Sequence, residues 1–255
     1  MDNRPIGMFD SGVGGLTVYK EVKDKVPNEK IIYLGDTLNF PYGSKSKESI
    51  IELSRKAIDF LISKNVKMIV IACGTATSQA LEEMQSSYDI PIIGIIEPTV
   101  DYIKEKQYKT VGIIATRGTI RSNSWEKKLK EKIEDIKVFN QECPLLAPMA
   151  EEGWTDNEIA RLAVKEYLKN LKENQMDALI LGCTHYPLYE NIIKGELPNT
   201  EIINTGKIIA DYIAKSDLAS IENLDDDEIY LTDTECNFLE VAKNILNQDI
   251  EIKKL

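Results

Sequence analysis

Short, almost wholly apolar runs alternate with amphipathic stretches along most of the chain. The runs are Ile6-Gly7-Met8-Phe9, Ile31-Ile32-Tyr33-Leu34, Met68-Ile69-Val70-Ile71-Ala72, Ile92-Ile93-Gly94-Ile95-Ile96, Val111-Gly112-Ile113-Ile114-Ala115, Ile136-Lys137-Val138-Phe139, Ala178-Leu179-Ile180-Leu181 and Ile202-Ile203. Few of them alternate with polar residues, so they read as strands covered on both faces, the habit of a parallel sheet. Segments 49–65, 119–132 and 155–174 place apolar residues at helical spacing with charges opposite, which predicts surface helices. Thr155-Asp156-Asn157-Glu158 has the spacing of a capping box for the last of these. Ile229-Tyr230-Leu231-Thr232 reads as a late strand, and 238–246 as a closing helix. Strand, helix and strand in repetition predict an α/β fold with right-handed crossovers.

The pattern also repeats on a longer scale. Ile6-Gly7-Met8-Phe9-Asp10-Ser11-Gly12 is echoed by Gly112-Ile113-Ile114-Ala115-Thr116-Arg117-Gly118, and Ile69-Val70-Ile71-Ala72-Cys73-Gly74-Thr75 by Leu179-Ile180-Leu181-Gly182-Cys183-Thr184, in the same order and at similar separation. The plainer explanation is that all parallel strands look alike. The duplication reading predicts two similar lobes, each a mainly parallel sheet flanked by helices, related by a pseudo-twofold, with the site in the cleft between them. Boundaries are expected near Glu97-Pro98 and Thr205-Gly206. Residues 1–97 plus 207–255 would then form the first lobe and residues 98–206 the second.

Composition narrows the options. The chain has 255 residues, 43% hydrophobic and 29% charged, an ordinary globular mix. No apolar run approaches the ~20 residues of a membrane span, and Met1-Asp2-Asn3-Arg4-Pro5 lacks the basic-then-apolar start of a secretory signal. The expectation is a soluble cytoplasmic protein. A net charge of −11 argues against nucleic acid as a partner. The acidic run Asp225-Asp226-Asp227-Glu228 reads as a solvated loop. The cysteines, Cys73, Cys143, Cys183 and Cys236, show no CxxC spacing, so neither a metal site nor a disulfide framework is expected. His185 is the single histidine, which excludes motifs needing two.

Candidate chemistry gathers at the ends of the apolar runs. Cys73 and Cys183 each close one, ahead of small or hydroxyl residues, where backbone N–H groups and a helix dipole favour a thiolate. Taken singly, each reads more simply as a buried structural cysteine. Together, in matching slots of two facing lobes, they could take a proton from one face of a carbon and return one to the other. Asp10-Ser11-Gly12-Val13-Gly14-Gly15 matches neither the dinucleotide nor the P-loop fingerprint. Asp10 reads as a polar group near Cys73, or else Asp10 or Ser11 as a helix cap. Asp36-Thr37 and Phe40-Pro41-Tyr42-Gly43-Ser44-Lys45-Ser46 form a turn-rich segment able to hold a carboxylate. His185 could relay protons for Cys183, and Glu151 or Glu152 adds a loop carboxylate.

Six motifs in order then give a resemblance. Phe9-Asp10-Ser11-Gly12-Val13-Gly14-Gly15-Leu16, Gly35-Asp36-Thr37 with Pro41-Tyr42-Gly43-Ser44-Lys45, Ala72-Cys73 with Thr75-Ala76, Gly94-Ile95-Ile96-Glu97-Pro98, Ala115-Thr116 with Gly118-Thr119-Ile120, and Leu181-Gly182-Cys183-Thr184-His185-Tyr186-Pro187 together resemble the cofactor-independent aspartate/glutamate racemases, in particular the glutamate racemases. The match spans residues 6 to about 206. The resemblance implies two-base racemisation of glutamate without cofactor or metal, supplying D-glutamate for peptidoglycan, and a homodimer. It implies that Cys73 serves the D-enantiomer with help from Asp10, and Cys183 the L-enantiomer with help from His185. The loop glutamate maps to Glu151, with Glu152 as the neighbouring alternative. Substrate contacts are implied for Asp10, Ser11, Pro41, Tyr42, Gly43, Ser44, Gly74, Thr75, Thr116, Thr119, Thr184 and His185.

Two departures stand out. Gly74 occupies a place where the family usually has Asn, which removes a polar contact. Ile203-Asn204-Thr205-Gly206 lacks an acidic residue before the hydroxyl one. The alternatives left open are an aspartate or broad-specificity racemase, a catalytically silent amino-acid-binding relative, and a thiol redox protein.

Overall fold

The computed structural model describes residues 2–216, 226–234 and 237–255. Asp225, part of the acidic run, and Cys236 lie outside the described residues.

The strands are β1 (Ile6–Asp10), β2 (Ile31–Gly35), β3 (Met68–Ile71), β4 (Ile92–Gly94), β5 (Thr110–Ala115), β6 (Lys137–Glu142), β7 (Ala178–Leu181), β8 (Glu201–Asn204), β9 (Glu228–Leu231) and β10 (Ile252–Lys254). They form two sheets, one ordered β10-β9-β2-β1-β3-β4 and the other β6-β5-β7-β8. Every pairing in both is parallel. Within each, the second strand of the half lies outside the first and the third and fourth lie beyond it, so β2-β1-β3-β4 and β6-β5-β7-β8 share one order. The repeated motifs fall on equivalent strands, β1 with β5 and β3 with β7. The chain returns after the second sheet to add β9 and β10 to the first. The fold is thus the expected two-lobed α/β architecture.

The apolar runs follow from coverage of both faces. Along β1, Met8 packs into a core shared by the two lobes and Phe9 into one private to the first; on β3, Val70 joins the shared core while Ile69 and Ile71 join the private one. Side chains alternate across a pleated strand, so both parities must be apolar when both faces are covered. The second lobe repeats this, with Ile113 and Ile180 in the shared core and Ile114, Leu179 and Leu181 in a third cluster. Helices Gly15–Lys25, Ile96–Glu105 and Thr205–Lys215 contribute Leu16, Val100 and Ile209 to the shared core. That core holds the carboxyl ends of β1, β3, β5 and β7 towards one another.

Three local expectations are corrected. The segment 119–132 is two helices, Arg117–Arg121 and Ser124–Lys132, broken where Asn123 takes a left-handed φ of 57°. Strand β4 ends at Gly94, and Ile96 already opens a helix. The helix expected over 155–174 is Glu158–Leu168, followed by a 3-10 turn at Leu171–Glu173. Its cap is Asn157, whose Oδ1 accepts from the Ala160 N–H at 2.8 Å, rather than Thr155. The closing helix is Phe238–Leu246, as expected. Among the described residues no helix is long and apolar enough to cross a membrane.

Candidate active site

Cys73 and Cys183 sit just past β3 and β7, the equivalent strands of the two lobes, and both line one cavity between them of about 70 Å3. That space holds on the order of five water molecules, which suits a small amino acid. Both thiols are free and buried.

Cys73 caps helix Gly74–Ser87: the Ala76 N–H points at its Sγ at 3.5 Å, and Sγ donates to the Ser11 hydroxyl at 3.6 Å. Burial, and then the charge of Asp10, push this thiol up to about 12. The Cys183 Sγ lies 3.7 Å from His185 Nδ1, on a turn closed by the Tyr186 N–H bonding the Cys183 carbonyl at 3.0 Å. His185 Nε2 in turn meets Glu151 Oε1 at 2.7 Å. Burial alone opposes charge on this imidazole, but the bonds to Cys183 and Glu151 outweigh it and hold His185 well above its ordinary value. The two sulfurs therefore have unlike settings, a hydroxyl and a carboxylate for Cys73, an imidazole and a carboxylate for Cys183.

Asp10 ends β1 and is fully buried. It is not a helix cap. Its Oδ2 accepts from the Gly12 N–H at 2.9 Å, and its Oδ1 accepts from the Thr184 hydroxyl of the opposite lobe at 3.1 Å. Its influence on Cys73 is through charge, while Ser11 makes the sulfur's hydrogen bond. Burial lifts Asp10 to about 6, against the lowering effect of His185. Helix Gly15–Lys25 starts without a side-chain cap; the nearby Val13 N–H is instead met across the cleft by Glu151 Oε1 at 2.8 Å. Of the two candidate loop carboxylates, Glu151 reaches His185, whereas Glu152 accepts from the Asn237 side chain at 3.2 Å.

The other candidates divide into those that face the cavity and those behind it. Ser11, Pro41, Tyr42, Gly43, Ser44, Gly74, Thr75, Thr116, Thr184 and His185 line it. Thr75, from the first lobe, joins Thr116 and Thr119, from the second, in a triangle of hydroxyls with sides of 2.8, 3.0 and 3.3 Å. Thr119 acts from behind that triangle. The Tyr42 hydroxyl is spent on Asp36 Oδ2 at 2.6 Å, so this residue offers the cavity its ring and backbone. Asp10 and Glu151 stand one layer back, the latter behind His185.

Phe40, Arg117, Pro144, Ala147 and Pro148 also line the cavity. The three small or cyclic residues on the 144–148 segment carry no reactive group, so no chemical signal marks them in the sequence. Arg117 follows Thr116 directly and is held by Glu142 at 3.2 Å. It joins the cavity to a wider groove of about 900 Å3, whose rim carries Lys45, Lys47, Arg121, Lys127 and Lys128 alongside Glu82, Glu83 and Glu97. Among the described residues no group of three or more His, Cys, Asp or Glu side chains is placed to hold a metal ion.

Comparison with known proteins adds to this geometry. A sequence model of the family described as Asp/Glu/Hydantoin racemase matches residues 6–213. A glutamate racemase from a Sulfurihydrogenibium species is 44% identical over 253 residues, covering 98% of this chain and 96% of that one. The crystal structure of Francisella tularensis glutamate racemase, solved in complex with D-glutamate, superposes with a TM-score of 0.92 at 35% identity, covering 100% of this chain and 98% of the other. An aspartate racemase of Picrophilus torridus, 20% identical with a TM-score of 0.59 over 81% of this chain and 91% of that one, shares the fold.

Proposed function

The chain belongs to the Asp/Glu/Hydantoin racemase family, and on that footing we propose that it interconverts L- and D-glutamate by proton transfer between the α-carbon and two cysteines. The observation that carries this reading is the pair of sulfurs, one from each lobe, lining a single amino-acid-sized cavity. The 44% identity to a glutamate racemase over nearly the whole chain favours glutamate over aspartate as substrate.

From L-glutamate, Cys183 as thiolate takes the α-hydrogen. The C–H bond breaks, an S–H bond forms, and the electron pair is shared with the carboxylate. The Cys73 thiol then gives its proton to the opposite face, so one S–H bond breaks and a new C–H bond forms. D-glutamate leaves a Cys73 thiolate and a Cys183 thiol, the state that serves the reverse reaction. The resting arrangement suits the forward direction, since a charged His185 stands beside Cys183 while burial keeps Cys73 protonated. No cofactor takes part in these steps.

The α-hydrogen is far less acidic than a thiol, so the carbanion must be stabilised. We assign the substrate carboxylates to the hydroxyls of Ser11, Thr75 and Thr116 and to backbone N–H groups of the Tyr42–Ser44 turn and the start of helix Gly74–Ser87, all of which line the cavity, whereas the Thr184 hydroxyl is spent on Asp10 Oδ1. Each preorganised donor is worth about 2.7–4 kcal/mol if oxyanion-hole magnitudes transfer. Substrate filling the cavity displaces the water it would otherwise hold, which strengthens each of these interactions.

We assign residues 1–97 plus 207–255 to the first lobe and 98–206 to the second, supported by the return of β9 and β10 to the first sheet. The reading further includes a homodimer acting in the cytoplasm and supplying D-glutamate for peptidoglycan. The direct test is incubation with L-glutamate in deuterated water. D-glutamate labelled at the α-carbon is expected; absence of both label and inversion, for glutamate and aspartate alike, defeats the reading.

A further inference from the structure

The seam between the lobes is lined on one side by glycines. A Cβ on Gly12 would meet Glu151 Oε1, one on Gly14 would meet the His185 ring and Thr184 Oγ1, and one on Gly43 would meet Thr116. Those obstacles are side chains. Gly74 differs, because a Cβ there would lie 2.1 Å from the carbonyl oxygen of Gly182, a backbone atom of the opposite lobe.

That oxygen has little room to retreat. The Gly182 N–H bonds the Ile114 carbonyl at 2.8 Å. A Cβ on Gly182 itself would meet Ala115 Cβ and the Ile114 carbonyl at 3.1 Å and Trp125 Nε1 at 3.3 Å, so the peptide is backed by the second lobe's own core. Gly74 is equally fixed. It opens helix Gly74–Ser87, and the preceding carbonyl, that of Cys73, accepts from the Thr77 N–H at 2.9 Å. Ordinary van der Waals contact begins near 3.4 Å, so one methyl group at position 74 requires the facing segments to separate by about 1 Å.

Gly74 directly follows Cys73, and Gly182 directly precedes Cys183. The two backbones in contact therefore carry the two sulfurs. We infer that the Gly74–Gly182 contact is the stop that sets how far the cleft closes, and with it the reach of both thiols to one carbon. Gly74 is then a positioning residue for inversion. The inference rests on the two-cysteine racemase reading above. It accounts for the missing side chain at position 74 as a shorter span between the lobes, beyond the loss of one polar contact.

The test is Gly74→Ala, with Gly195→Ala as control, since a Cβ at Gly195 meets nothing within 4 Å. A misplacement near 1 Å costs about 10²-fold in rate, so racemisation by Gly74→Ala is expected to fall about 100-fold. Removal of the α-hydrogen by the nearer thiolate, exchange of the resulting S–H with deuterated solvent and return of deuterium to the same face need only one sulfur. Deuterium in unreacted substrate, measured against inversion, is therefore expected to rise about tenfold or more over wild type and the Gly195→Ala control. The opened cleft has no clash, so the thermal midpoint of Gly74→Ala stays close to wild type. Wild-type racemisation by Gly74→Ala, or exchange and inversion falling in proportion, overturns the inference alone. So does a variant that fails to fold, because its strain is then not relieved by opening. A wild-type protein that neither exchanges nor inverts glutamate overturns this inference together with the reading it rests on.

Discussion

Glu151 Oε1 lies 2.7 Å from His185 Nε2 and, with the same oxygen, accepts the Val13 N–H of the opposite lobe at 2.8 Å. One carboxylate thus holds the imidazole that faces Cys183 and ties the two lobes at the edge of the cavity. Replacing it with Gln keeps an oxygen for Val13 but removes the charge that helps keep His185 protonated.

Glu151→Gln is therefore expected to lower kcat/KM for glutamate by about 10- to 100-fold, the worth of a hydrogen bond to a charged group. The pH profile gives the sharper reading. His185 is held above its ordinary value partly by Glu151, so the alkaline limb should move to lower pH in the variant. A limb that stays in place would show that Glu151 does not act through His185.

Asp10 gives a prediction about stability. Burial raises it in the folded protein to about 6 from an ordinary 3.8. The folded state therefore favours the protonated form, and the stability linked to this group, complete below pH ~4, is lost as pH rises through about 6. Asp10→Asn removes that loss. Above pH ~7 the variant should gain up to about 3 kcal/mol over wild type, shrinking towards zero near pH ~4, while racemisation falls. Urea unfolding at several pH values measures it, and a gain that does not depend on pH would contradict the linkage.

The cationic rim of the wider groove, Lys45, Lys47, Arg117, Arg121, Lys127 and Lys128, opens onto the cavity of a protein whose net charge is −11. Glu82, Glu83 and Glu97 share that groove and both arginines are paired with Glu142, but cations outnumber carboxylates along its lining, so a dicarboxylate arriving here is repelled less than the global charge implies. Raising salt from about 0.05 to about 0.5 M, which shortens the Debye length severalfold, should lower kcat/KM about threefold or more, mainly through KM. Charge reversal at Lys45 and Lys47 should raise KM and weaken the salt dependence without a matching change in kcat. Salt-independent kinetics would remove any steering role from the rim.

At the other end of the first sheet, Lys67 and Glu29 form an ion pair with both side chains fully buried, at 2.9 and 2.8 Å to the two carboxylate oxygens. Lys67→Met should destabilise the protein by about 3–5 kcal/mol by leaving the Glu29 charge without this ammonium. The double variant with Glu29→Leu should recover most of that loss. Chemical unfolding of the three proteins decides it; a double variant no better than the single would show that the pair contributes net stability.

The fold was legible because burial on both faces leaves a direct mark: Met8 and Phe9 enter different cores, so both must be apolar, and β1 reads as a continuous run. The equivalent stations of Cys73 and Cys183 were legible for the same reason, each being the first reactive residue after such a run. Local breaks were not. Asn123 adopts a left-handed turn inside a stretch whose apolar spacing stays helical, and Asn157 outcompetes Thr155 because the helix begins later than the capping-box spacing implied. Contacts that depend on the two lobes meeting left no local trace. Glu151 and Val13 are 138 residues apart, and the cations of the groove come from three separate segments. The choice between Glu151 and Glu152 needed the direction of a short helix, Leu146–Glu151, which turns one carboxylate to His185 and leaves the other on the surface.

The shared strand order of the two sheets has a consequence for handedness. A chain of L-residues cannot build the reflection of any of its own parts, yet a pair of enantiomers asks for equivalent chemistry on two mirror-related sides of one carbon. Repeating the same β-order in each half lets a rotation stand in for that reflection, delivering a second copy of one sulfur-bearing turn to the far side. On the two-cysteine reading the substrate has no need to turn over in its cavity, since one sulfur removes a hydrogen and the other supplies a different one.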